Sequence, residues 1–175
     1  MGPPFALAES ARRAAVVVLR RPVAGVSAGA LSRFVTQARR AAGLKDAVNV
    51  LITSNSELRS LNRRFRAMDK PTDVLSFPAG PDSSTNVAGE IAISAEIASR
   101  NARMLGHPIS AELKILILHG ILHLRGYDHE RDQGQMANIE QQLRQKLRLP
   151  VGLIERTGLP KGKVGREAAN PRRRS

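Results

Sequence analysis

Apolar positions along this chain switch repeatedly between a strand-like and a helix-like period. Ala15 to Leu19 is a β-branched run bounded by Arg20, Arg21 and Pro22, and it reads as a strand. From Ser27 to Ala42, the residues Leu31, Phe34, Val35, Ala38 and Ala42 recur at helical spacing, with Gly43 as the stop. Ala47 to Thr53 (AVNVLIT) is a second strand. Ser54-x-x-Glu57 is a capping box that opens a helix to about Phe65. Asp73 to Phe77 is a short third strand ended by Pro78, and the Pro/Gly/Ser/Asn stretch 78–86 is a loop. Val87 to Ile93 is a fourth strand, followed by a helix from about Ser94 to Leu105.

Residues 110–125 break the pattern. Leu113, Ile115, Leu116, Ile117, Leu118, Ile121, Leu122 and Leu124 cover almost the whole circumference of a helix. A helix that is apolar all round belongs in the interior. Gly126 ends it, and Asp132-x-x-Gln135 caps a last helix to about Arg148, with Pro150 beyond. The expected fold is a single α/β (α+β) domain, with a small mixed sheet of about four strands packed against helices. Helix 110–125 is its buried centre. Residues 1–13 are expected as a flexible N-terminus, 14–155 as the domain and 156–175 as a disordered basic tail.

Composition narrows the class. A chain of 175 residues with 42% hydrophobic and 25% charged residues is an ordinary globular chain. It has no cysteine, which excludes disulfides, a thiol nucleophile and Cys-based metal knuckles. It also contains no apolar run approaching a membrane span, so no membrane partner is expected, and the expected location is cytoplasmic. The net charge of +13 favours polyanions, nucleic acid above all. Much of it is terminal: residues 156–175 hold seven basic residues and one acidic. Arginine richness from genome base composition accounts for part of the excess equally well. The aromatic residues Phe5, Phe34, Phe65, Phe77 and Tyr127 are too few and too scattered for a base-stacking platform.

The candidate chemistry lies at the end of the apolar helix. His119 and His123 stand at i and i+4, so their rings share a face. His129 follows three residues after the Gly126 turn. Two histidines inside a Leu/Ile helix each need a polar partner. Three neutral nitrogens with an open fourth position make the donor set of catalytic rather than structural zinc. The spacing also matches the metzincin proteases, but Gly120 stands where their general base, Glu, belongs. Peptide hydrolysis is therefore disfavoured.

HGILHLRGYDH (119–129) resembles the signature HGxLHLxGYDH of the YbeY endoribonucleases. A second block agrees: Leu61-Asn62, Phe65-Arg66, then Asp69 to Pro78 (DKPTDVLSFP), with Gly89-Glu90-Ile91 at the expected distance. The resemblance spans roughly 15–150. It implies a zinc-dependent, single-strand-specific endoribonuclease with one Zn2+ per chain. Such an enzyme acts in ribosomal RNA processing, including maturation of the small-subunit rRNA 3′ end, and in ribosome quality control. Single-stranded RNA, ribosomal RNA and the ribosomal small subunit are then its partners. The resemblance makes His119, His123 and His129 the zinc ligands and Arg66 the functionally important arginine of the family's Tyr-Arg pair. Phe65 replaces the usual Tyr, and Glu90 stands where Asp is common.

The chemistry of the residues fits. A zinc ion lowers the pKa of water to about 7 or polarises a phosphoryl oxygen, and an arginine fork holds two phosphate oxygens. By composition alone, Arg66 is one of a surface group with Arg59, Arg63, Arg64 and Lys70. The general base stays open between Glu90, Asp128 and neither, and Asp128 fits a turn or supporting role better. Tyr127 reads as packing and His107 as a loop residue. Two rival readings remain: a ribosome-assembly or RNA-binding factor with a structural metal, and a metallo-hydrolase of another substrate.

Overall fold

The computed structural model describes residues 15–80 and 86–150. The elements are β1 (Val17–Leu19), α1 (Ala28–Ala41), β2 (Ala47–Thr53), α2 (Asn55–Arg66), β3 (Val74–Pro78), β4 (Val87–Ser94), α3 (Ala95–Leu105), α4 (Ile109–Leu124) and α5 (Gln135–Lys146). The four strands form one mixed sheet in the order β1-β2-β4-β3. β1 and β4 each pair parallel with β2, and β3 pairs antiparallel with β4. This is the mixed four-stranded α/β architecture expected from the chain.

The strands alternate their side chains between two faces. Val48, Val50, Ile52, Ile91 and Ile93 join α1 and α4 in the larger core cluster. Leu51, Ala92 and Leu75 point the other way and pack with Leu58, Leu61 and Phe65 of α2. So α4 and α2 lie on opposite faces of the sheet. The centre of α4 is sealed: Leu113, Leu116, Ile117, Ile121 and Leu122 have no solvent exposure.

Caps explain most helix starts. Ser27, Ser54 and Ser94 each accept a hydrogen bond from a first-turn N–H at 3.2, 3.3 and 3.1 Å. The last helix differs from expectation. Gly134, with φ +87°, holds its cap position, and α5 ends at Lys146 rather than near Arg148. Asp132 still serves the helix start, because its carboxylate accepts from the N–H groups of Gly134 and Met136, each at 2.8 Å. β1 is shorter than expected and omits Ala15 and Val16. Pro78 belongs to β3 and does not merely end it. β3 is an edge strand, where a missing N–H costs no ladder bond. The expected flexible N-terminus (1–13) and basic tail (156–175) lie outside the described residues, as does most of the 78–86 loop. No single helix among the described residues is long and apolar enough to cross a membrane.

Candidate metal centre

Two helices and a turn build the site. α4 packs so closely on β4 that a Cβ at Gly120 would stand 2.8 to 3.1 Å from three carbons of Ile91. Position 120 therefore faces the sheet and has no room for a glutamate. The absence of a protease-type base has a packing reason as well as a sequence one. The two neighbouring positions on the helix bear His119, which is buried, and His123, which is partly exposed one turn later. Gly126, at φ +98°, turns the chain after α4, and His129 comes back. The ligand atoms of His119, His123 and His129 all lie within 4.8 Å of one another, and the ring centroids are 4.7 to 5.3 Å apart.

The donor set suits a metal ion. His119 Nδ1 stands 3.0 Å from Glu140 Oε2, and both side chains are almost fully buried. That contact turns His119 Nε2 toward the cluster, where it lies 3.1 Å from His123 Nε2. Two nitrogens bound tetrahedrally at about 2.0–2.1 Å are about 3.4 Å apart, close to the spacing seen. Burial, reinforced by the neighbouring His119 and His129, pushes His123 down to about 4. Its imidazole is therefore neutral, as a ligand must be, through the physiological range. His129 Nδ1 is buried with no hydrogen-bond partner, an imbalance that a metal in the cluster relieves. The three-histidine cluster is thus able to hold a metal ion.

Glu140 is the residue that reading the chain missed. Its signal was present: a carboxylate occupies the buried stripe of α5 between Met136 and Leu143. A buried acidic residue on an apolar face calls for a partner, and a carboxylate behind a ligating histidine fixes the ring and raises its basicity.

The other candidates fall in different places. Asp128 keeps its turn: Oδ1 accepts from the Glu130 N–H at 3.1 Å, and Oδ2 faces Arg131 Nε at 3.4 Å. Its charge also weakly favours the protonated form of His123. Glu90, one of the two carboxylates open as a base, lies on the other face of the sheet. It pairs in register with Asn49 and Phe77, and its neighbours on the same face, Ala92 and Phe77, pack with α2. Strand alternation thus puts this buried carboxylate on the face away from α4, which removes it as a base beside the histidines. Tyr127 packs against the larger core cluster. His107 is more than a loop residue, since its Nε2 stands 3.1 Å from the fully buried Glu112 at the start of α4.

Arg66 ends α2 and is exposed, with no contact to the histidines. Its neighbour Phe65 packs edge-on against Phe77 at 5.2 Å. At the same end of β3, Pro78 pairs with Gly89, and a Cβ on Gly89 would stand 2.6 Å from Leu124 of α4. The last turns of α2 and α4 therefore flank one end of the β3 edge from opposite faces. Arg59 is committed elsewhere, in a two-point pair with Asp69 at 2.8 Å for each bond. Arg64 lies 5.1 Å over the Phe65 ring.

Comparison with known proteins decides the family. The family model described as Endoribonuclease YbeY matches residues 24–148. The chain belongs to the YbeY family. It is 56% identical over 151 residues to Endoribonuclease YbeY of Koribacter versatilis, covering 86% of this chain and 97% of that protein. It is 46% identical over 140 residues to Endoribonuclease YbeY of Solibacter usitatus, covering 80% and 92%. The solution structure of TM1509 from Thermotoga maritima is similar, with a TM-score of 0.54 and 30% identity, covering 76% of this chain and 88% of that one. The YbeY-family match contains both motif blocks and all three histidines.

Proposed function

We propose that this chain is a zinc-dependent endoribonuclease that cuts single-stranded RNA, with His119, His123 and His129 holding the metal and Arg66 assisting catalysis. As a member of the YbeY family it acts on RNA phosphodiester bonds; the zinc, the ribosomal RNA target, the small-subunit association and a cytoplasmic setting are our reading. The observation that carries it is the convergence of three imidazoles on one point, backed by the His119–Glu140 contact. A bound divalent ion would supply Lewis acidity toward a phosphoryl oxygen.

The chain's own residues do the rest. Glu140 orients His119 and holds its proton at Nδ1. The sealed core around α4 keeps the cluster rigid. Arg66, on the far side of the β3 end, offers its guanidinium fork to a strand that passes over that edge. Asp128 braces the turn that carries His129, where its Oδ1 accepts from the Glu130 N–H.

The test is cleavage of a single-stranded fragment from the 3′ end of small-subunit rRNA, with a duplex control. We expect cutting of the single strand that a chelator stops, zinc restores and His123→Ala abolishes. Undiminished cutting by His123→Ala, or indifference to chelator, would overturn the reading.

A further inference from the structure

A second cluster of charged groups lies beside α4, apart from the histidine cluster. Arg39, Arg40, Gly43, Leu44 and Lys45 line a shallow depression of about 420 Å3 where α1 ends. Arg125, two residues past His123, joins them. Its Nε and Nη2 lie 3.8 and 3.9 Å from where a Cβ on Gly43 would stand.

Arg39 is the anchor. Its side chain is buried, and Nη1 donates to the carbonyls of Leu44, Lys45 and Asp46. This fixes the loop that carries Lys45. Its Nε is buried with no hydrogen-bond partner. Basic residues in the last turn of α1 also complement the helix dipole. That accounts for Arg39 and Arg40 but not for Lys45 or Arg125, which come from outside the helix. Arg40, Lys45 and Arg125 are exposed, and Asp46 is the one acidic residue in the stretch 39–46.

We propose that Arg40 at the end of α1, Lys45 on the Arg39-anchored loop and Arg125 at the end of α4 form a phosphate-binding subsite for the RNA strand. The proposal rests on the RNA-cleaving reading above. It adds that the strand also contacts the protein at the C-terminal end of α1.

The test uses the full chain in chelator, so that RNA is bound but not cut. Affinity for a single-stranded RNA oligonucleotide is measured by fluorescence anisotropy across a range of salt. The variant Arg40→Gln/Lys45→Gln/Arg125→Gln leaves Arg39 and the histidines in place. A control variant, Arg100→Gln/Arg103→Gln/Lys146→Gln, removes the same charge elsewhere. Each lost phosphate contact flattens the slope of log K against log salt by about 0.7 on a single strand. The subsite variant is expected to flatten it by about 2, with the control unchanged. Zinc content before chelator is added, and circular dichroism, are expected to match the parent. An unchanged slope, equal flattening by both variants, or no RNA binding by the parent would overturn the subsite. Loss of metal-dependent cutting by the parent, with the slopes as expected, would overturn the nuclease reading instead.

Discussion

The two faces of the sheet are built differently. One face meets α1 and α4 and carries a continuous apolar cluster, from Leu31 and Val35 through Ile91 to Ile121 and Met136. The other meets α2 alone, with Leu51, Leu58, Leu61, Leu75 and Ala92 as its buried centre. The second face also holds buried Asn49 and Glu90 in one row. The metal cluster sits on the thick face, and the helix bearing Arg66 sits on the thin one. A metal site needs ligands held within fractions of an ångström, and only a close-packed layer supplies that. A cationic group that meets a flexible strand needs exposure instead.

The contrast is sharpest in the core. Leu116 and Leu58 are both fully buried leucines, one on each face. Leu116→Ala should cost about 4–5 kcal/mol and Leu58→Ala nearer 2–3 kcal/mol, because the thin layer relaxes more easily into the cavity. Urea unfolding of the two variants measures this, and equal costs would break the comparison.

Gly120→Ala tests how tightly the thick face is closed. Its added methyl would stand 2.8 Å from Ile91 Cδ1. The expected cost is about 1–3 kcal/mol, together with weaker metal binding as His119 and His123 shift. A variant as stable as the parent would show that α4 has room to move.

Glu140→Gln asks whether the buried carboxylate tunes the site or only fills space. Metal affinity should fall about 10- to 100-fold, while the fold survives. Competition with a chromophoric chelator reads the affinity, and an unchanged value would remove Glu140 from the site.

The smallest effect belongs to the exposed rim of the thin face. The hydrogen bond from Arg59 holds the Asp69 carboxyl below its ordinary value. Arg59→Gln should move the Asp69 titration up toward the ordinary carboxylate range, followed by NMR. The sign is that of a carboxylate favoured when ionised: any stabilisation is present above the unfolded pKa and fades as the pH falls through the folded one. Because the pair is exposed, unfolding at neutral pH should scarcely change.

Periodicity and capping alone determined the number, type and order of the elements described. Alternating β-branched runs, Ser caps and an all-apolar helix are local signals, and local sterics and hydrogen bonding fix them. The i, i+4 histidines with a third after a glycine turn also belong to the chain, because helix geometry sets where their rings point. What the tertiary structure decided is which side chains from distant segments meet. Glu140 lies 21 residues from His119 and reaches it only because α5 folds back on α4. Glu90 stands close to the motif residues in the chain, yet strand alternation turns it to the opposite face. Arg125 and Lys45 share a surface through helix packing that no local pattern encodes. Contacts of this kind depend on how whole layers stack to exclude water, and that is a property of the assembled core rather than of any single segment.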